Sequence, residues 1–181
     1  MVIGHVGRFV EQKNHRFLID IFNEIHKQNS NSILLLAGQG PLMEKIKSKV
    51  ESLGLEKFVI FLGQIDDADK LYQAIDIFVL SSLYEGLPVV GVEAQATGLL
   101  CELSSNMTKE TKILDTTRFI SLDKSAKEWA SIILDDYSKF KRYDTTADIT
   151  KSNFNIKKET IKLENKYYKL IIALKGTDYG K

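Results

Sequence analysis

Short apolar runs alternate with amphipathic stretches along most of the chain. Continuous apolar runs of four to six residues predict strands that are buried on both faces. The predicted strands lie at residues 2–6, 32–37, 58–62, 77–80, 100–103 and 118–122. Stretches with apolar positions every three or four residues predict helices at about 14–25, 41–53, 66–74, 88–97, 125–136 and 156–174. The alternation predicts a Rossmann-like, three-layer α/β/α fold with a parallel sheet of about six strands.

The segment after the fourth predicted strand, residues 84–98, has the pattern of an anion site. Gly86 allows close backbone approach to a ligand, Pro88 suits the first helical position, and Gly98 suits the position beyond the helix end. The first-turn N–H groups and the helix dipole favour an anion. Glu85 and Glu93 flank that site at roughly 12 Å along the helix. A nucleotide-sugar fits this spacing, whereas the alternative is an ordinary surface helix with two solvated glutamates.

A second candidate anion site follows the first predicted strand. Gly7 permits a turn, and Arg8 and Lys13 share the loop that follows it. Two cations in a glycine-permitted turn form a natural clamp for a diphosphate. The alternative is two solvated cations. Because ligands bind at the carboxyl ends of parallel strands, the loops at residues 8, 38, 63 and 85 are expected to line one edge of the sheet.

Three further patterns carry weaker signals. Residues 38–40 (GQG) resemble part of a dinucleotide fingerprint, but the third glycine is missing and no acidic strand end follows about 20 residues later. NAD binding is therefore disfavoured, and these glycines are expected to let a loop pass close to a ligand. Residues 67–69 (DAD) suggest helix capping by Asp67 rather than a metal site, and Asn14 is expected to cap the first predicted helix. The three histidines lack metal-site spacing, and His5 and Cys101 are expected to be packed core residues.

Composition and charge exclude several classes of protein. The 181 residues predict a single domain spanning 1–181. With 25 basic and 24 acidic residues, the chain shows no general nucleic-acid signal. The single cysteine excludes an internal disulfide and fits a reducing compartment. No signal peptide and no apolar run of about 18 residues is present. The first residues enter a strand abruptly, which suggests a fragment or a split gene product.

The last 31 residues carry a net positive charge. Residues 151–181 hold eight lysines and three acidic residues, a net charge of +5. The apolar positions of this segment recur at helical spacing: Ile156, Leu163, Tyr167, Leu170, Ile171 and Leu174. We expect a helix that packs by its apolar face with its lysines in water. The alternative is contact with an anionic membrane surface.

Taken in order, these segments resemble the C-terminal domain of retaining GT-B glycosyltransferases of the glycosyl transferases group 1 family. The segments are residues 7–9 (GRF), 12–14 (QKN), 35–42 (LLAGQGPL), 61–63 (FLG) and 74–98. The resemblance runs from residue 2 to about 105, and is greatest to bacterial enzymes of capsular or exopolysaccharide synthesis. Ser81 and Leu100 stand where the family often has proline, a departure that concerns loop shape rather than charge contacts.

The resemblance implies a role for each candidate residue. Arg8 and Lys13 hold the donor diphosphate, Glu85 contacts the donor sugar hydroxyls, and Glu93 binds the ribose hydroxyls. Backbone at residues 86–87 meets the phosphates or the sugar, and residues 64–65 frame the base. The implied catalytic residues are Glu85, Arg8 and Lys13. The implied donor-binding residues are Gly7, Arg8, Lys13, Gln64, Ile65, Glu85, Gly86, Leu87 and Glu93. Family members transfer a hexose with retention and without a bound metal, so no metal or cofactor is expected.

The resemblance also implies partners. The donor is expected to be a nucleotide-sugar, with UDP as the favoured nucleotide, and the acceptor a growing surface polysaccharide or a lipid-linked saccharide. The family has an N-terminal acceptor-binding domain that this chain does not contain, and its last helix crosses back to that domain. The isolated chain is expected to bind donor weakly and to transfer little. The expected location is the cytoplasm, with peripheral contact on the inner face of the membrane and no nucleic-acid partner.

Two other functions stay open from the sequence. One is a GT-B-like nucleotide-sugar epimerase, which needs catalytic acids and a histidine that the sequence does not place. The other is a non-catalytic nucleotide-binding or regulatory module with a Rossmann-like fold.

Overall fold

The computed structural model describes residues 1–177, with side chains as far as residue 174. The strands are β1 (Val2–Val6), β2 (Ile33–Ala37), β3 (Val59–Gly63), β4 (Ile77–Leu80), β5 (Leu100–Ser104) and β6 (Thr117–Ile120). The helices are α1 (His15–Gln28), α2 (Met43–Ser52), α3 (Ala68–Ala74), α4 (Val89–Ala96), α5 (Ala126–Lys139), α6 (Thr146–Lys151) and α7 (Ile156–Thr177). Short 3₁₀ turns lie at Glu11–Lys13 and Lys109–Thr111. The chain divides into two compact units, Met1–Thr145 and the residues from Thr146 onward. The single domain predicted for 1–181 stays a prediction.

All six strands form one parallel sheet in the order β3-β2-β1-β4-β5-β6. Gly4 of β1 lies between Leu35 of β2 and Phe78 of β4. The strand order reverses between β1 and β4, and the loops on either side of that reversal leave in opposite directions. In open α/β sheets such a switch point leaves a crevice at the carboxyl ends of the strands. The predicted parallel, Rossmann-like sheet is confirmed.

Alternate side chains of β4 enter two separate cores. Ile77 and Val79 pack in the core that includes α1, α2 and α5, whereas Phe78 and Leu80 pack in the core that includes α3 and α4. All four side chains are fully buried. Because successive side chains of a strand point to opposite faces, a strand covered on both sides must be apolar throughout. The predicted three-layer arrangement is therefore confirmed.

The capping roles predicted for Asn14 and Asp67 were wrong. Asn14 precedes α1 with a left-handed backbone (φ 52°) and makes no side-chain cap. Its amide instead donates to the Ser81 carbonyl at 3.2 Å. Asp67 precedes α3 without a capping hydrogen bond, and its carboxylate pairs with Lys70 at 2.5 Å. In both cases the short polar side chain is engaged by another partner, which local sequence does not reveal.

The helix ends around α4 agree closely with the sequence. The helix begins at Val89, one residue later than predicted, and Pro88 precedes it with an extended backbone. Gly98 has φ 74°, the left-handed conformation expected just beyond a helix end. A Cβ at Gly98 would also lie only 2.5 Å from the Tyr143 carbonyl oxygen. Glycine is therefore required here both by backbone conformation and by space.

The unit from Thr146 onward contains α6 and α7, of which only α7 was predicted. The apolar side chains of α7 named above are between 47% and 77% exposed. The predicted packing of this face stays a prediction, because periodicity specifies an amphipathic helix but not the surface that covers it. Residues 178–181 of the predicted basic segment lie outside the described residues. Over residues 1–177, no helix has the length and apolar character needed to cross a membrane.

Candidate functional site

Three loops are joined by hydrogen bonds where the strand order reverses. The Leu83 N–H donates to the Gln12 carbonyl at 2.8 Å, which joins the loop after β4 to the loop after β1. The Asn14 amide donates to the Ser81 carbonyl and reinforces this link. From the loop after β5, the Asn106 side chain donates to the Leu83 carbonyl at 3.1 Å. The loops that follow β1, β4 and β5 therefore form one framework at the switch point.

The Glu85 carboxylate accepts hydrogen bonds from three side chains in this framework. Lys13 Nζ lies 2.5 Å and Ser82 Oγ 2.9 Å from Oε1, and Gln12 Nε2 lies 3.3 Å from Oε2. The Lys13 and Glu85 side chains are only 16% and 10% exposed. A partly buried ion pair with further hydrogen bonds fixes the orientation of both groups. Lys13 and Glu85 are thus not the solvated side chains that the sequence left as an alternative.

The Lys13 side chain reaches Glu85 by crossing Gly7. A Cβ at Gly7 would lie 3.2 Å from Lys13 Cδ and 2.9 Å from His5 Nε2, so glycine leaves room for both side chains. His5 and His15 are buried, with ring centroids 4.6 Å apart, and the expected core role of His5 is confirmed. Burial lowers the pKa of His5 to about 4, and burial lowers the pKa of His15 still further. Both imidazoles are therefore neutral at pH 7. The positive charge beside them is that of Lys13.

A cavity of about 660 Å³ opens at the carboxyl ends of β1, β2 and β3. Its lining includes four residues of the predicted site, Gly7, Arg8, Gln64 and Ile65, together with residues 38–41. The Arg8 side chain is exposed. Among residues 1–177, no hydrogen bond or ion pair engages its guanidinium group, which leaves it available to a bound anion. The loops at residues 8, 38 and 63 thus lie on one edge of the sheet, as predicted.

The glycines after β2 bring two loop backbones into contact. Gly38 has φ 135°, and a Cβ there would lie 2.1 Å from the Gly7 carbonyl oxygen. A Cβ at Gly40 would lie 2.5 Å from the Phe9 carbonyl oxygen. Phe9 N–H donates to the Gln39 carbonyl at 3.0 Å. These glycines line the cavity, but the backbone that they approach most closely is that of the β1 loop, which the sequence did not predict.

We expect Gly40→Ala to lower the free energy of unfolding by about 1–3 kcal/mol, because the new methyl group meets backbone atoms that cannot rotate away. Gly86→Ala is the matched control, since nothing lies within 4 Å of a Cβ at that position. Urea unfolding of both variants measures the difference. Equal stability of Gly40→Ala and the wild type would contradict the close contact between the two loops.

Glu93 lies on the exposed face of α4 and is held by Tyr72 of α3. The Tyr72 hydroxyl donates to Glu93 Oε2 at 2.9 Å, and Tyr72 itself is only 2% exposed. Burial, followed by its hydrogen bond to Glu93, raises the pKa of Tyr72, so the phenol remains a donor. The opposite side of α4 is fixed by Gln95, whose buried amide makes hydrogen bonds to the backbone of Gly91, Thr111, Ile113 and Leu114.

The remaining predicted residues, Gly86 and Leu87, lie on the exposed loop before α4. A Cβ at Gly86 would meet open space, and Leu87 is 44% exposed. The structure therefore arranges the predicted site in three groups. One lines the cavity, one is the Lys13–Glu85 pair, and one is the start of α4 with Glu93, whose carboxylate bonds to Tyr72.

Three side chains in this region had no role predicted from the sequence. Gln12 directly precedes Lys13 and Ser82 lies three residues before Glu85, so their closeness along the chain was an available signal. Tyr72 is 21 residues from Glu93, and no sequence pattern links the two. Within residues 1–177 no group of three or more histidine, cysteine, aspartate or glutamate side chains is arranged to hold a metal ion. The predicted absence of a metal stays a prediction.

Comparison with known proteins identifies a family that this chain matches. Residues 1–135 match the family described as "Glycosyl transferases group 1". Over 134 residues the chain is 40% identical to EpsF of Bacillus subtilis (strain 168), a protein named as a glycosyltransferase, covering 74% of this chain and 35% of EpsF. Over 107 residues it is 36% identical to the UDP-Gal:alpha-D-GlcNAc-diphosphoundecaprenol alpha-1,3-galactosyltransferase of Escherichia coli, covering 58% of this chain and 28% of that enzyme.

A solved structure extends the likeness to the fold. TarM from S. aureus, crystallised as a mutant with fondaparinux, alpha-GlcNAc-glycerol and UDP, matches with a TM-score of 0.78 at 19% identity. The match covers 91% of this chain and 34% of TarM. This chain thus spans about a third of the length of each of these three proteins.

Proposed function

The chain belongs to the glycosyl transferases group 1 family, and we propose that it is the donor-binding domain of a retaining GT-B glycosyltransferase. The observation that carries this proposal is the Lys13–Glu85 pair at the switch point, beside a cavity edged by the exposed Arg8. The proposed donor is a UDP-sugar. Support for UDP comes from the name of the Escherichia coli relative, which acts with UDP-Gal, and from the UDP bound in the TarM crystals.

Each part of the proposed donor has a complementary group in the site. The base lies in the cavity framed by Gln64 and Ile65. The diphosphate lies between Arg8, Lys13 and the first-turn N–H groups of α4, where backbone at residues 86–87 is open to solvent. The ribose hydroxyls meet Glu93, and the hydroxyls of the sugar meet Glu85.

The proposed chemistry depends on charge stabilisation. As the bond between the sugar and the diphosphate breaks, negative charge develops on the diphosphate. Preorganised cations and N–H groups lower the energy of that state. Lys13 is preorganised because its ammonium is bound to Glu85 and its stem packs over Gly7. In the proposed retaining reaction the acceptor attacks from the same face that the diphosphate leaves, and the leaving phosphate helps to take the acceptor proton. No step in this proposal requires a metal ion.

The acceptor is proposed to bind a second, N-terminal domain that this chain does not include. The short share of its relatives that the chain spans supports this part of the proposal. The exposed apolar side chains of α7 suit contact with such a domain. The names of the relatives support a polysaccharide or lipid-linked acceptor, since the Escherichia coli enzyme is named for a diphosphoundecaprenol-linked substrate. A cytoplasmic location, and contact of the basic C-terminal segment with an anionic membrane surface, belong to the same proposal.

The two other functions left open by the sequence gain no support. The matching family and the relatives are glycosyltransferases rather than epimerases. A purely regulatory nucleotide-binding module does not account for the Lys13–Glu85 pair. Nucleotide binding alone needs the cation that contacts the diphosphate, but it does not need a carboxylate held beside that cation.

We expect UDP to raise the melting temperature of this chain more than GDP, ADP or NAD does, because a ligand that binds only the folded state stabilises it by RT ln(1 + [L]/Kd). Thermal shift and calorimetric titration measure the effect. Arg8→Ala should remove most of the UDP response, because it deletes the free cation at the cavity edge. Arg16→Ala, an exposed arginine of α1 that does not line this cavity, is the matched control and should retain the response. Stabilisation by NAD alone would overturn the proposal.

A further inference from the structure

Glu93 projects from an exposed helix face, yet one of its carboxylate oxygens is held by a buried phenol. Tyr72 is 2% exposed and its hydroxyl donates to Glu93 Oε2 at 2.9 Å. We infer that Tyr72 is a positioning residue for the donor, whose hydroxyl aims the Glu93 carboxylate at the ribose hydroxyls of the nucleotide. This inference rests on the proposed donor site and adds a residue to it that no sequence pattern indicates.

The position of the phenol is fixed by packing and by the backbone. The Tyr72 ring meets Phe78 of β4 edge to face, with ring centroids 5.9 Å apart. The Arg142 guanidinium donates to the Tyr72 carbonyl at 2.9 Å and to the Thr97 carbonyl at 2.8 Å. Arg142 therefore joins the carboxyl ends of α3 and α4, the two helices that carry Tyr72 and Glu93. The hydroxyl and the carboxylate are held in register by their helices as well as by their own hydrogen bond.

This arrangement leaves capacity for a ligand on Glu93. A carboxylate has two oxygens and about four acceptor positions, and the phenol occupies one of them on Oε2. Within residues 1–177 no other hydrogen bond or ion pair engages the Glu93 carboxylate, so Oε1 is open to further donors. A free glutamate side chain loses rotamer entropy when a ligand immobilises it. Tyr72 reduces that cost by ordering the carboxylate before the nucleotide binds.

A simpler explanation is that Glu93 merely satisfies a buried hydroxyl. Buried polar groups are nearly always hydrogen-bonded, so Tyr72 needs a partner whether or not a ligand binds. The two explanations differ in one measurable respect. If Tyr72 positions Glu93, nucleotide affinity depends on the Tyr72 hydroxyl only when the nucleotide has ribose hydroxyls that donate hydrogen bonds to Glu93.

The test is Tyr72→Phe in the complete 181-residue chain, titrated calorimetrically with UDP and with 2′,3′-dideoxy-UDP. We expect the Kd for UDP to rise about three- to tenfold, as for the loss of one hydrogen bond, and the Kd for 2′,3′-dideoxy-UDP to stay unchanged. In the Glu93→Ala background, Tyr72→Phe should cause no further loss. Tyr137→Phe is the matched control, because that phenol also lies near a carboxylate, Asp76, but belongs to α5 in the other core, and both Kd values should be retained.

The outcomes separate this inference from the function on which it rests. If UDP does not bind the wild-type chain, or if Glu93→Ala leaves the UDP Kd unchanged, the donor site as proposed fails and the inference fails with it. If Glu93→Ala weakens UDP while Tyr72→Phe does not, the donor site stands and the role of Tyr72 is wrong. If Tyr72→Phe weakens UDP and 2′,3′-dideoxy-UDP equally, the hydroxyl acts on the fold rather than on the ribose contact, and the inference is again overturned.

Discussion

Glu85→Ala is expected to reduce sugar transfer by about two to four orders of magnitude in an enzyme that has both its donor and acceptor domains, while UDP affinity changes less than about tenfold. The carboxylate is proposed to contact the sugar rather than the nucleotide, so its loss acts mainly on the reacting state. It is also the partner that holds Lys13 at 2.5 Å. Without it, the ammonium that stabilises the leaving diphosphate loses its fixed position.

Lys13→Ala provides the contrast. Removing the cation should weaken UDP binding and transfer together, because the diphosphate loses an ion-pair partner in the ground state and in the transition state. Glu11→Ala, an exposed glutamate in the same loop, should change neither quantity. Transfer is measured with the complete enzyme, and affinity is measured by calorimetry. Wild-type transfer in Glu85→Ala would remove the role given to this residue, and a Glu85→Ala variant that fails only in UDP binding would move Glu85 to the nucleotide.

The sheet was predictable because burial on both faces leaves a direct trace in the sequence. Residues 77–80 were predicted as a strand, and β4 is Ile77–Leu80, every side chain of which is fully buried. A strand covered on both sides must be apolar throughout, and few other structures produce such short apolar runs between helical patterns. The strand order could not be predicted in this way, because apolar runs do not indicate which strands are neighbours in the sheet.

The position of Lys13 and Glu85 at one edge of the sheet was predictable from the sequence, but the hydrogen bonds between the side chains of the candidate site were not. Lys13 and Glu85 follow strands, and parallel topology brings such loops to one edge. The sequence did not show that these two side chains pair with each other, because 72 residues separate them. The capping roles given to Asn14 and Asp67 failed for a related reason. A short polar side chain has several partners within reach, and for Asn14 the partner is a carbonyl 67 residues away.

Glu102 is a buried carboxylic acid that the sequence pattern did not predict. It lies in β5, where the sequence indicates only a strand, and the structure buries it completely. Burial, followed by the neighbouring Asp136 carboxylate, raises the pKa of Glu102 from its usual 4.5 to about 9. Arg118 acts in the opposite direction but is itself paired with Asp136 at 2.7 Å. Glu102 is therefore protonated in the folded chain at neutral pH.

We expect Glu102→Gln to stabilise the chain more as the pH rises, because the folded state must keep a proton that the unfolded state releases. Between pH of about 4.5 and 9 the folded carboxyl binds that proton and the unfolded one does not, so the Glu102 contribution to wild-type stability falls by about 1.4 kcal/mol for each pH unit. Glutamine has the same shape without the titration. The stability gained by the variant should therefore be larger at pH 8 than at pH 5 by about 4 kcal/mol.

Urea unfolding of wild type and variant at pH 5 and pH 8 isolates this effect, since every other titrating group is common to both proteins. His5 and His15, whose burial lowers their pKa values, make stability rise with pH through the usual histidine range and would mask Glu102 in the wild type alone. Glu128→Gln is the control. Its backbone and side-chain hydrogen bonds from Ser125 lower the pKa of Glu128, so its contribution is constant from pH 5 to 8. If Glu102→Gln likewise shows the same difference from wild type at both pH values, Glu102 is ionised in the folded chain, and the buried proton assigned to it is absent.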